Sequence, residues 1–558
     1  MCYMLYDEYK HYVVIRHSDH FLTDQRNERS SRVRRTIFVQ DIPKNLRNQK
    51  LLEEFFCKLY HDTIESTSLG YDTRALDAAV EKREKLFIKW KKALLQVTKE
   101  DERPLVRKTP CIGSKIDAID FYAGKIEELN DEIEEMQKEL QPTSNAFVTF
   151  KKFDAVATAT QVKQTLIPFA FSNKLAMAPE EVVWRNLVQT TLAKKVGSII
   201  GAIIIWTIVV FWSIPVTVAS SLSQLENYRE DFEPIDWLYE NIPALASFLT
   251  AFLPGLALII FKKVLPHICR AVAKHIKYIE ADTWITRDSF TSYFYFQLIN
   301  FYLVAAVGGS AAGSAIQIAD DPTSVVSILA DALPKQWLTF ASYIMIVTFA
   351  GTPKILADIS TLVVSQIKLK YLVSTEEEKR EVEKPSEPMK YDVSYPDQLL
   401  ISMVGLGYAG LSPIMIFFAL AYFVYNKIVY QYRLVYVWEK TVDGGGSLFP
   451  LVFNRIIAGV FVSQFTLIGV LNLKKFYFGS PFLIIQVVLT AIFKNYINSG
   501  LGEISESICR EEVVHLDENQ SEISESTESS LYLSPGMVAT RIDPCEEEAS
   551  TKTQEFEP

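Results

Sequence analysis

From about residue 196 the chain stops alternating apolar with polar residues. It gathers apolar ones into runs long enough to cross a bilayer core, which takes roughly 20 helical residues. Eight such segments centre on 196–219, 242–261, 293–313, 337–357, 399–412, 413–430, 455–473 and 481–497. The first, "VGSIIGAIIIWTIVVFWSIPVTVA", carries no charge at all. A buried soluble core rarely produces so many long runs with so few charges. The pattern predicts an α-helical polytopic membrane protein with about eight spans over 194–498.

Before these runs the periods are those of a soluble domain. "RTIFVQDIP" (35–43), "IESTSLG" (64–70), "NAFVTF" (145–150) and "LAMAPEEVVW" (175–184) read as strands. "NQKLLEEFFCKLY" (48–60) and "DAVATATQVKQT" (154–165) read as amphipathic helices between them. This βαββαβ order predicts an α+β, ferredoxin-like domain of the kind RNA-recognition modules use, over residues 1–193. The RNA-binding strand pattern, however, asks for a base, a glycine and an aromatic where Thr143, Ser144 and Asn145 stand. Phe38 and Phe147 suit a core equally well, so the expectation is a protein-facing scaffold and no nucleic acid partner.

Two helical arms, at about 72–98 and 117–141, are inserted in this domain. Ala79, Leu86, Trp90, Ala93 and Val97 form one apolar seam, and Ile126, Leu129, Ile133, Met136 and Leu140 the other. The first arm is basic and the second acidic, which suits an antiparallel coiled-coil pair; a dimerisation role and a plain spacer hairpin both fit.

Charge adds orientation. The segments 223–241 and 314–336 hold one base each, Arg229 and Lys335, among several acids. By contrast, 262–287 and 368–397 hold six bases each. The bias of Lys and Arg towards cytoplasmic loops therefore puts the N-terminal domain and the C-terminal tail in the cytosol. The polar "MCYMLYDEYKHY" does not suit a signal peptide. Of the net charge of −10, residues 503–558 contribute −12. Fragments such as "SEISESTESS" read as an acidic disordered tail over 499–558, with serines open to phosphorylation. Trp184, Leu187, Val188 and Leu192, with Lys194 and Lys195, suit an interfacial helix just before the first span.

Catalytic chemistry finds little support. The six cysteines lie far apart with no C-x-x-C, and there is no H-E-x-x-H, Walker loop or G-x-S-x-G. No cofactor or metal is expected, and the chain is not read as an enzyme. Gly405, Gly407 and Gly410 do spell G-x-G-x-x-G, yet an apolar run without an acid follows them. The expectation is a tight meeting of two helices near the membrane boundary, ended by Pro413. Polar residues inside spans are costly and usually face protein or water. Gln297, Asn300 and Val304 form one stripe of the third span; Tyr343, Val347 and Asp358 lie roughly on one face of the fourth. They are pore-lining candidates, with interhelical packing as the alternative. Gly351, Pro353, Gly405 and Gly407 are hinge candidates.

Over nearly the whole chain to about residue 498, a set of stretches resembles the OSCA-type calcium-permeable stress-gated cation channels. They include "LYDEYKHYVVIRHSDHFL", "RTIFVQDIP", "NAFVTF", "MAPEEVVWRNL", "FQLINFYLV", "YPDQLLISMVGLGYAGLSPIMIFFALAYFVY" and "PLVFNRIIAGVFVSQFTLIGVLNLKKF". The resemblance implies a mechanosensitive, osmosensing calcium-permeable channel with an anoctamin-like channel fold and a ferredoxin-like cytosolic domain. It also implies a homodimer in the plasma membrane, with lipids and permeant cations as its partners. A phospholipid scramblase and a non-conducting membrane scaffold or trafficking protein are the alternative functions. Members have eleven spans, three ahead of the cytosolic domain, and this sequence, a fungal-type member, begins after the place where the third would end. Where the family often has an acid in the pore-lining span, this chain has Lys354 and Ile355, with Asp358 the nearest acid. That implies a weaker cation preference.

Overall fold

The computed structural model describes residues 2–22, 32–61, 63–100, 103–107, 115–212, 237, 263–303, 334, 337–371, 373, 376–383, 388–439, 444–507, 509–519 and 531–543. The chain divides into two compact units. One holds 1–23, 192–357 and 387–507; the other holds 24–191, 358–386 and 508–558.

The second unit is built on strands β1 (Thr36–Gln40), β2 (Ile64–Tyr71), β3 (Leu105–Arg107), β4 (Lys115–Asp117), β5 (Pro142–Phe150) and β6 (Ser172–Leu175). Four of them form one sheet in the order β2-β5-β1-β6, every neighbouring pair antiparallel. Alternation along the strands sends Ile37, Val39, Ala146, Val148 and Phe150 to one face, where they meet Leu52 and Phe56 of the helix Gln49–Tyr60 and Val156 of the helix Phe153–Gln161. Asn48 caps the first of these helices by accepting from the Lys50 amide at 3.0 Å. The second has no side-chain cap of its own; the Asp517 carboxylate accepts from the Phe153 and Asp154 amides at 2.9 and 3.1 Å.

Between β2 and β5 run the two arms, Arg74–Glu100 and Ala118–Lys138, with the short hairpin β3–β4 between them. Ala79, Trp90, Ala93, Ile126, Leu129 and Ile133 are buried, so the seams read from the sequence are apolar contacts. A polar pair sits within them: Arg83 donates to the Asn130 amide oxygen at 2.8 Å, and both side chains are buried.

The first unit is helical. Five stretches among the described residues are long and apolar enough to cross a membrane: Thr191–Phe211, Phe340–Tyr371, Ile414–Tyr436, Phe449–Leu473 and Gly479–Glu506. The expected span at 242–261 lies outside the described residues, and that at 293–313 is described only to residue 303. The 399–412 run forms the end of the helix Tyr391–Tyr408. Close approach depends on glycine. A Cβ on Gly197 would overlap the Ile276 carbonyl, and one on Gly407 the Tyr302 hydroxyl.

The boundaries differ from the expectation in two places. The helix Cys2–Leu22 packs Tyr9 and Val13 against Phe449, Phe453, Ile457 and Ile497, and so belongs with the apolar helices rather than the sheet. Tyr9 meets Phe453 edge-on at 4.9 Å. The segment expected as disordered tail contains the helix Arg510–Asn519, whose Val513 is buried against Phe153 and Ala157, and a packed stretch over 531–543. Asp517 and Tyr532 give these pieces specific partners, which composition alone does not reveal. Residues 520–530 and 544–558 lie outside the described residues.

Candidate functional site

An apolar helix in a membrane has no water for its polar groups, so each must find a partner inside the protein. The helix Asp282–Gln297 continues into a π-helical segment, Leu298–Leu303. Gln297, 1% exposed, donates from Nε2 to Oδ1 of Asp397 at 2.5 Å. Tyr293 donates its hydroxyl to the same oxygen at 3.3 Å. Asp397 follows Pro396 in the helix Tyr391–Tyr408. The Gln297 Oε1 atom is buried with no partner among the described residues. The result is a carboxylate held by an amide and a phenol between two helices, one turn from Asn300.

Asn300 lies in the π-helical turn, where regular i to i−4 pairing is broken. Its Nδ2 donates to the Val209 carbonyl at 3.2 Å and to the Phe296 carbonyl at 3.4 Å. It thus ties its helix to Thr191–Phe211. Tyr343 and Val347 occupy another place, partly buried against a cluster of Tyr302, Phe340, Ile344, Val404, Tyr408 and Tyr422. Gln297 and Asn300 thus reach two different helices, while Leu298 and Phe301, from the same turn as Asn300, pack on the cluster that holds Tyr343 and Val347. Val304 lies outside the described residues. Asp358 falls in the other unit, with a φ of 43°, and accepts from the Thr361 hydroxyl at 2.7 Å at the start of the helix Ile359–Tyr371.

Of the hinge candidates, Gly351 ends a second π-helical turn, Val347–Gly351, and Pro353 stands in the following turn, Thr352–Ala357. Proline has no N–H to give, and the Thr352 hydroxyl instead reaches the Val347 carbonyl at 3.3 Å and the Asn426 side chain at 3.1 Å. Arg433, buried on the same helix as Asn426, donates to the Ile355 carbonyl at 2.8 Å and lies 4.9 Å from the Trp438 ring. A cation near a helix C-terminus satisfies its last carbonyls. Gly405 and Gly407 lie inside a helix, facing Ala419 and Tyr302. A dinucleotide turn needs a strand before its glycines; these have a helix.

Sequence reasoning passed over Asp397, Asn426 and Arg433. Asp397 stands at the head of an apolar run and reads as interfacial. Asn426 and Arg433 are seven residues apart, which places them on one helical face. Among the described residues no group of three or more His, Cys, Asp or Glu could hold a metal ion.

Helices of this kind, with buried amides and a carboxylate joining otherwise apolar surfaces, define a multi-pass membrane protein. Residues 34–186 match a family described as "Cytosolic domain of 10TM putative phosphate transporter". Residues 197–471 match one described as "Calcium-dependent channel, 7TM region, putative phosphate". Along these regions the chain is similar to calcium-permeable stress-gated and hyperosmolality-gated channels. It is 28% identical over 515 residues to hyperosmolality-gated Ca2+ permeable channel 1.5 of Arabidopsis thaliana, covering 89% of this chain and 66% of that one. It is 26% identical over 506 residues to channel 1.8 of the same plant, covering 89% and 62%. To calcium permeable stress-gated cation channel 1 of Schizosaccharomyces pombe it is 26% identical over 556 residues, covering 90% and 68%. The chain thus spans about two thirds of the length of the relatives it matches.

Proposed function

We propose that this chain is a subunit of a calcium-permeable cation channel that opens when the membrane is stressed. What carries the reading is that the two family regions follow one another in order over 34–186 and 197–471, alongside relatives named for that activity. The proposed channel is a homodimer in the plasma membrane, with the sheet domain in the cytosol. The all-antiparallel order β2-β5-β1-β6 supports a ferredoxin-like reading of that domain. Tension favours the state of larger in-plane area, so opening needs no chemical ligand.

The Asp397 carboxylate, with Gln297 bonded to it and Asn300 three residues on from Gln297, is the proposed polar lining that a permeating cation meets. Tyr343 and Val347 are proposed to narrow the same path. The test is stretch-activated current from the full-length protein in membrane patches. Asp397→Asn is expected to lower unitary cation conductance or cation-over-chloride selectivity about threefold, because it removes a full charge from a poorly screened site. Unchanged conductance and selectivity would move the pore away from Asp397. Silent patches with verified surface protein would sink the channel reading itself.

A further inference from the structure

The stretch 531–543 lies as a strap on the second unit. Tyr532, 2% exposed, stacks on Phe147 with ring centroids 4.2 Å apart and planes 11° from parallel. Phe147 in turn stacks on Phe38 of β1 at 5.1 Å. The Tyr532 hydroxyl donates to the Met177 carbonyl at 2.8 Å, and its own carbonyl accepts from Ser68 at 2.7 Å. The strap therefore covers the sheet face opposite the helices, the face on which RNA-recognition modules stack a base.

Beyond Tyr532 the strap crosses the arms through its backbone. Gln137 donates to the Gly536 and Ala539 carbonyls, Arg83 to that of Thr540 and Asn130 to that of Ile542, all between 2.8 and 3.1 Å. Arg541 reaches Glu127, Asp131 and Glu134 at 3.2 to 3.4 Å. At the centre is Ser534, fully buried, at the N-cap of the short helix Pro535–Val538. Its hydroxyl donates to Oδ1 of Asp77 at 3.4 Å, and the Gly536 amide to the same oxygen at 3.1 Å. The other oxygen of Asp77 accepts from Thr73 at 2.7 Å.

We propose that Ser534, in a Ser-Pro pair, is the site of a proline-directed protein kinase, and that phosphorylation there holds the strap 531–543 off the domain. Ser534 Oγ attacks the γ-phosphorus of ATP and the bond from that phosphorus to the β-γ bridging oxygen breaks. ADP leaves, and the hydroxyl proton passes to the kinase's basic carboxylate. The buried hydroxyl is out of a kinase's reach while docked, so modification takes place on the released strap. The added group carries about 1.5 to 2 negative charges at neutral pH and would have to return to a buried pocket beside the Asp77 carboxylate. Like charges at that distance, away from water, oppose redocking. The inference does not depend on whether the chain conducts ions.

The test is hydrogen exchange on the full-length protein in detergent. Amides of Gly536, Met537, Val538 and Ile542 should be protected in the unmodified chain and exchange at least about tenfold faster in Ser534→Asp, while β5 stays protected. Ser534→Ala should stay within about twofold of the unmodified chain, since it adds no charge. Ser534→Asp with Asp77→Asn should recover most of the protection. In a second arm, a proline-directed kinase with ATP should label Ser534 at least about fivefold faster in Tyr532→Ala, where the stacked anchor is gone. Protection unchanged in Ser534→Asp, no rescue by Asp77→Asn, or equal labelling rates would overturn the proposal.

Discussion

Two helices from the two units follow opposite rules. Phe153–Gln161 has nine residues and buries five of them, Phe153, Ala155, Val156, Ala157 and Ala159. Thr191–Phe211 has 21 residues and buries four, Gly197, Gly201, Ile205 and Val209, while Ile199, Ile203, Trp206, Val210 and Phe211 stand exposed. The same inversion recurs in Ile414–Tyr436, which buries Asn426 and Arg433 and exposes Phe417, Leu420, Val424 and Ile428. Against water, large apolar side chains gain by leaving the surface. Against lipid they gain little, so small residues that allow close approach and polar groups that need partners take the inside. Burial in the membrane unit is therefore a record of packing and hydrogen bonding.

The largest effect should come from breaking that close approach. Gly407→Val would drive a branched side chain into the Tyr302 hydroxyl, which lies in a fully buried ring cluster. Overpacking a filled core costs about 1–3 kcal/mol, and this overlap sits at the upper end. The expected outcome is a loss of most monodisperse protein on size exclusion in detergent, partly recovered by Tyr302→Phe. Normal yield of Gly407→Val would mean that the contact is loose.

Next is the solvent itself. Ile203 is 60% exposed on Thr191–Phe211, and Leu166 is fully exposed in the sheet unit. Ile203→Lys should cost about 3 kcal/mol of insertion energy if its neighbours are lipid tails. Leu166→Lys should change stability by less than about 0.5 kcal/mol, as surface changes in water do. Membrane insertion and thermal aggregation of the two variants, measured side by side, decide the matter. Equal tolerance would mean that Ile203 faces water or protein.

How much of this was legible depended on how local the cause was. The apolar runs and the β-α-β periods arise from residues near one another in sequence, so the spans at 455–473 and 481–497 and the strands at 35–43 and 145–150 could be read directly. Asp397 could not, because its partner Gln297 is 100 positions away and its own surroundings look interfacial. The strap could not either. "LYLSPGMVATRID" holds Leu531, Tyr532, Leu533, Met537, Val538 and Ile542, but it lies between acidic, serine-rich stretches that hide this short apolar signal, and its order comes from Phe147, Arg83, Asn130 and Gln137. Asn300 was legible as an amide that needs a partner, but only the fold could say that the partner is Val209.

The smallest expected effect sharpens the contrast from the water side. Arg74 grips Asp72 through two hydrogen bonds of 2.9 and 2.7 Å at the start of the first arm, and this holds the Asp72 carboxyl below its usual range. A carboxyl with a lower folded value stabilises the protein above its unfolded value, about pH 3.9, and that contribution fades as pH falls through the folded value. Both partners are partly exposed, so solvent screens the pair and a few tenths of a kcal/mol is the scale. Arg74→Ala should therefore lower the thermal midpoint of the sheet unit by about 1 °C at pH 7, with the gap narrowing as pH falls below the unfolded carboxyl value of about 3.9. Salt should shrink the pH 7 difference further. The pair between Lys277 and Asp288 at 2.8 Å, with its lysine only 10% exposed, is less open to screening. A gap for Arg74→Ala that does not narrow at all as pH falls would show that Arg74 acts through packing of its stem on the arm, and not through its charge.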